Sequence, residues 1–88
     1  MRMEAIFEIS NIKVLLYLLE KCNARYSELL RDVIPSRSTL ALTLKDLQDD
    51  HLVERKVEAT RPVQTWYILT SRARKIAEHL SAIKKLTS

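Results

Sequence analysis

Residues 25–50 read RYSELLRDVIPSRSTLALTLKDLQDD, and the order of signals in this stretch decides the fold. Ser27 precedes Glu28-Leu29-Leu30, a hydroxyl placed to cap the start of a short helix. Ile34-Pro35 ends that helix, because the residue before a proline avoids the helical region. Ser36 then offers a second cap, and the pattern predicts a further helix from near Arg37 to about Asp50. At about 100° per residue, Leu40, Leu44 and Leu47 form its buried stripe, with Thr43 on the same side. Ser38, Lys45 and Asp49 lie opposite, flanked by Ala41 and Leu42.

Upstream, Ile12, Leu15, Leu16 and Leu19 carry the spacing of one helix face, and Ser10 or Asn11 is available to cap it. Val14, Tyr17 and Leu18 add a second apolar side, which a helix has when it is central or shared with a partner. Met3, Ile6 and Phe7 predict one more helical turn or short helix before it, and Ala24-Arg25-Tyr26 a short extended link after it. Downstream the period changes to two. Val53, Arg55 and Val57 alternate with Glu54 and Lys56. Thr65, Tyr67 and Leu69 alternate with Gln64, Trp66 and Ile68. These are two strands of a hairpin, with Glu58 to Pro62 as its loop and Trp66 on its outward side. Thr70 or Ser71 caps a last helix whose Ala73, Ile76, Ala77, Leu80 and Ile83 share a side.

Eighty-eight residues make one small domain, marginal alone unless tightly packed or oligomeric. A single cysteine, Cys22, rules out an internal disulfide, and neither His51 nor His79 has metal-ligand spacing to it. No metal or other cofactor is expected. No apolar run approaches the roughly 20 residues of a membrane span, so the chain reads as cytoplasmic with no membrane partner. Glycine is absent, which disfavours a phosphate-cradling loop, and no spacing orients a nucleophile toward a base, so no enzyme is expected. The net charge of +4 is compatible with a nucleic-acid partner, but its excess sits on the last helix, in Arg72, Arg74, Lys75, Lys84 and Lys85.

Two closely linked helices, the second amphipathic, make a helix-turn-helix, and a hairpin directly after them makes a wing. The pieces Tyr26-Ser27-Glu28-Leu29, Ser36 with Thr39-Leu40, Leu44 with Leu47, Leu52-Val53-Glu54-Arg55 and Tyr67-Ile68-Leu69-Thr70 stand in register. In this they resemble the winged helix-turn-helix regulators of the MarR and HxlR type, over roughly residues 12–80. The resemblance implies an α+β, mostly helical fold with a three-helix core, a two-stranded β-hairpin wing and a C-terminal dimerisation helix. It divides residues 1–88, a single domain, into an N-terminal extension (1–9), a winged helix-turn-helix core (10–70) and the C-terminal helix (71–88). It also implies a homodimeric regulator of double-stranded DNA, with the third helix in the major groove and the wing on the minor groove or backbone. The Cys-Pro and Gly-Lys-Trp features common near the first helix of HxlR proteins are missing, and His51 holds a turn where glycine is usual. A full MarR protein has further helices around its ligand pocket, so no small-molecule effector site is carried over.

The expected DNA contacts are Ser36, Arg37, Ser38 and Thr39, where free N–H groups at a helix start favour phosphate, with Lys45 two turns on. Leu42 is an outward apolar side chain suited only to thymine methyls or to a protein contact. In the wing, Arg61 beside Pro62 is the minor-groove candidate, and Lys56 and Gln64 are backbone contacts. Met3, Ile6, Phe7, Leu18, Leu80, Ile83 and Leu86 are assigned to the dimer interface. The bland centre of the third helix keeps two alternatives open: a non-specific architectural DNA-binding protein and a protein-interaction winged helix.

Overall fold

The computed structural model describes residues 8–87. Among these residues four helices and three strands follow in the order α1 (Ile9–Lys21), β1 (Asn23–Arg25), α2 (Tyr26–Asp32), α3 (Arg37–Asp49), β2 (Val53–Glu58), β3 (Gln64–Leu69) and α4 (Ser71–Thr87). This is the mostly helical α+β winged helix fold. The extended link between α1 and α2 is a third strand. β1 pairs antiparallel with β3, giving the sheet order β1-β3-β2. Met3, Ile6 and Phe7 lie outside the described residues.

The core is built from every element. Leu15 and Leu18 of α1, Leu29 of α2, Leu40 and Leu47 of α3, and Leu52 before β2 are fully buried or nearly so. Ala73 and Ala77 let α4 pack closely on α1, since small side chains keep the two axes near each other. Tyr67 and Leu69 complete the core from the sheet.

Two expectations about helix starts change. Ser10 and Asn11 do not cap α1; the helix begins at Ile9 with Glu8 as its N-cap. The buried face is Asn11, Val14, Leu15 and Leu18, rotated by one position from the stripe of Ile12, Leu15, Leu16 and Leu19. Asn11 holds a core slot in which its Nδ2 donates to Asp46 Oδ2 of α3 at 3.1 Å, so its amide N–H side has a partner across the helix pair. Ser27 does not cap α2 either. Arg25 is the N-cap, and its backbone N–H donates to Glu28 Oε1 at 3.1 Å.

The end of α3 is closed by two bonds: His51 N–H donates to the Gln48 carbonyl and Leu52 N–H to the Leu47 carbonyl. This pattern is a Schellman cap, and it requires a left-handed residue at its turn. His51 supplies it, at φ 57°. Thr70 fastens the same turn from the other side, its Oγ1 donating to the His51 carbonyl at 2.9 Å while accepting from Ala73 N–H at the start of α4. Arg72 also reaches this corner and donates to the Asp50 carbonyl. A cation at the start of α4 is unfavourable there but favourable beside the carbonyl end of α3, and this contact accounts for its place in the sequence.

Candidate nucleic-acid interface

Ser36 caps α3 as expected, its Oγ accepting from Thr39 N–H at 3.4 Å and lying 3.2 Å from Ser38 Oγ. Ser36, Arg37, Ser38 and Thr39 are all exposed. Behind them Leu40, Leu44 and Leu47 anchor the helix, with Thr43 also buried. The turn is further steadied by Tyr26, whose hydroxyl donates to the Arg37 carbonyl at 3.5 Å. A capped, hydroxyl-rich and cationic helix start is thus presented to solvent on a fixed base, where Thr39 N–H is taken by the cap and the earlier N–H groups, of Arg37 and Ser38, are available to anionic oxygens.

Along α3 the outer surface is flanked by two clefts. One, of about 420 Å³, lies against the start of α1 and is lined by Asn11, Leu42, Thr43, Lys45 and Asp46 among others. The second, of about 360 Å³, separates α3 from the sheet, with Tyr26, Lys45, Gln48, Asp49, Arg55 and Tyr67 in its walls. Lys45 stands on the ridge between them. Leu42 is 69% exposed and cannot hydrogen-bond a base.

Strand register sorts the wing residues by face, because successive side chains point to opposite sides. Arg55 pairs with Tyr67, which is buried, so both lie on the α3 side. Lys56 pairs with Trp66, which in turn pairs with Arg25 across β3, so these three form a row on the outer face. There the Arg25 guanidinium sits 4.8 Å from the Trp66 ring centroid and donates to Gln64 Oε1 at 3.1 Å. Gln64 is therefore half-buried and tied to Arg25, whereas Lys56 is exposed. Arg61 is exposed in the wing loop, where Thr60 Oγ1 donates to the Pro62 carbonyl at 2.8 Å. Arg25, Tyr26 and Arg55 carry weight at this surface that the sequence reading did not assign to them. The strand pairings were the missing signal.

Of the residues assigned to a dimer interface, Leu18 is fully buried within the protomer and is unavailable to a second subunit. Leu80 is half-buried, whereas Ile83 and Leu86 are 55% and 86% exposed. The α1–α4 face bears two shallow clefts lined by Leu16, Leu19, Tyr17 and Val33, with Ser81 and Lys84 as the α4 side chains. At its edge Tyr17 donates to Asp32 Oδ2 at 3.0 Å, and Arg31 Nε lies 2.8 Å from Asp32 Oδ1. The Arg31 hydrogen bond first, and the Tyr17 hydroxyl second, hold the Asp32 carboxyl down at about 2. Partial burial and then the Asp32 carboxylate push the Tyr17 phenol up. Among the described residues no three metal-ligating side chains converge, and no helix is long and apolar enough to cross a membrane.

The helix-turn-helix, its exposed capped turn and the adjoining wing define a transcriptional regulator of the winged helix type. The chain belongs to the HxlR-like helix-turn-helix family, whose model matches residues 11–88. Proteins of this family and of the related MarR type are DNA-binding regulators and not enzymes. Among solved structures, a transcriptional regulator homologue from Pyrococcus horikoshii OT3 superposes with a TM-score of 0.84 at 14% identity, covering 98% of this chain and 86% of that one. At that identity the likeness speaks for the fold alone. A MarR-family regulator from Porphyromonas gingivalis W83 gives a TM-score of 0.79 at 25% identity, over 97% of this chain and 83% of that one. The reduced form of the transcriptional regulator YodB from B. subtilis gives 0.77 at 25% identity, over 93% and 80%. No curated protein sequence matches this chain.

Proposed function

We propose that this regulator binds double-stranded DNA as a homodimer, with the first turn of α3 in the major groove and the wing on the minor groove or backbone. The observation that carries the reading is the Ser36–Thr39 turn, exposed at every position yet held by its cap, by Tyr26 and by the leucine stripe beneath. Arg61 at the wing tip and Lys45 on the α3 ridge extend the same surface. Ile83 and Leu86, large apolar side chains left exposed on α4, support pairing of two subunits through that helix, which would let two α3 helices address two half-sites.

Ala41 and Leu42 occupy the exposed middle of α3 and cannot make bidentate base contacts, so direct readout from the helix centre is weak. This favours a role in which α3 positions the protein and the wing, the half-site spacing and DNA shape supply much of the preference. It is also the observation that motivates an architectural role as the second reading. A footprint on the protein's own upstream region, taken at two salt concentrations beside light scattering for subunit number, separates them. The regulator gives a bounded footprint that survives higher salt, from a dimer. Uniform protection that fades steeply with salt would support the architectural protein instead.

A further inference from the structure

We infer that Arg55, and not its neighbour Lys56, is the phosphate contact of the wing, seated in the cleft between α3 and the sheet. The inference rests on the reading that α3 and the wing meet DNA. A strand of duplex running from a major groove holding α3 to a minor groove holding the wing must cross the gap between those elements, and that gap is this cleft.

Three observations lead there. First, the register places Arg55 opposite buried Tyr67, so its side chain leaves β2 toward α3. Lys56, opposite Trp66, leaves on the outer face, in the row that contains Arg25. Second, Arg55 is exposed although its strand face is the core face, because the sheet outruns the core. Val53 is buried, but Val57 on the same face is 54% exposed. The guanidinium therefore stands at the edge of the packed interior with its donors open to the cleft. Third, Lys45 lines the same cleft across from it, and Asp49 is the acidic side chain among the lining residues. Two cations against one carboxylate suit a single phosphodiester charge. The arginine fork matches two phosphate oxygens at once, which a lysine cannot do.

The test uses the full chain and the duplex that it protects, with binding followed by fluorescence anisotropy across a salt series. Arg55→Gln should weaken binding about tenfold and lower the slope of log affinity against log salt by about 0.9, the value for one lost phosphate contact. Lys56→Gln should leave the slope unchanged. Arg55→Lys should keep the slope, since the charge remains, while losing part of the affinity with the fork. Ethylation interference adds a readout that a structural role would not move. One backbone phosphate whose ethylation blocks the wild type should become indifferent in Arg55→Gln. Thermal melts of each variant show whether the fold is intact, and Arg55→Lys carries the test if Arg55→Gln does not fold. An unchanged slope and interference pattern in Arg55→Gln, a larger loss in Lys56→Gln, or a lowered slope in Arg55→Lys overturns the inference while leaving DNA binding in place. Absence of any protected site for the wild type overturns DNA binding itself, and the inference with it.

Discussion

His51 is the position where one substitution should make this protein more stable. It holds φ 57° at the turn after α3, a region where a residue with a Cβ is strained by about 1–2 kcal/mol relative to the right-handed conformation. The turn cannot relax. Its neighbours are fixed by His51 N–H to the Gln48 carbonyl at 3.0 Å, Leu52 N–H to the Leu47 carbonyl at 2.9 Å, and Thr70 Oγ1 to the His51 carbonyl at 2.9 Å. His51→Gly removes the Cβ and loses little packing, since the side chain is exposed. Against this, glycine gives the unfolded chain extra freedom, at about 0.4–1 kcal/mol. The balance is a gain centred on about 0.8 kcal/mol, or about 3–6 °C in Tm for a domain of this size. His51→Asn should fall between wild type and glycine, and His51→Val should lose at least about 1 kcal/mol. Circular dichroism melts at matched protein concentration decide the matter, because dimerisation would itself raise Tm. A glycine variant that melts at or below the wild type would refute the reasoning, for it would mean that the left-handed turn carries no strain or that the imidazole makes a stabilising contact.

Ser36→Ala should cost only about 0.5–1 kcal/mol, the lower part of the range for lost caps, because the Thr39 N–H to Ser36 Oγ bond is long at 3.4 Å; urea unfolding measures it. Leu47→Ala opens a cavity where the side chain is 1% exposed, in the core cluster that also holds Leu52. The expected loss is about 2–5 kcal/mol, a large share of the roughly 4–13 kcal/mol available to a chain of 88 residues, and it should show as a lower urea midpoint. Asp32, held at about 2 in the folded protein, binds its proton more readily when unfolded, so its stabilisation is fully present above about pH 4 and is lost as pH falls toward 2. Asp32→Asn should flatten that part of the acid unfolding profile, and an unchanged profile would show that the Arg31–Asp32–Tyr17 cluster contributes nothing to it.

The helix-turn-helix and its wing were legible because each boundary carries its own local chemistry. Ile34-Pro35 stops α2, Ser36 caps α3, and Thr70 caps α4. The places that were not legible are those where a distant partner overrides local preference. Asn11 reads as a cap and is a core residue, its amide nitrogen donating to Asp46, thirty-five positions away. Ser27 reads as the start of α2, but pairing of Asn23–Arg25 with β3 extends the chain up to Arg25 and lets the helix begin at Tyr26. Alternation in Val53–Glu58 already sets Arg55 on the face of Val53 and Val57, but that Val57 and Arg55 lie beyond the core and open to a cleft beside α3 depends on how far the sheet extends, which is a matter of packing. Leu18 reads as a second apolar side of α1 left for a partner, and is enclosed by the protomer's own core.

The short strand β1 has a mechanical consequence. β3 is bonded along one edge to β2 and along the other to β1, and β1 runs directly into α2. Arg25 ties the outer face across this seam, and Tyr26 holds the first turn of α3 from the same corner. The first turn of α3 and the root of the wing are thereby tied together like the jaws of a caliper, with the loop between Glu58 and Gln64 outside these ties. On the proposed binding mode such a tool would spend little ordering entropy on contact. It would also shift the work of adaptation onto its target. In that mode a duplex would have to bring its own grooves to the caliper's width, so sequences would be ranked by how easily they bend or narrow, including at steps that no side chain touches.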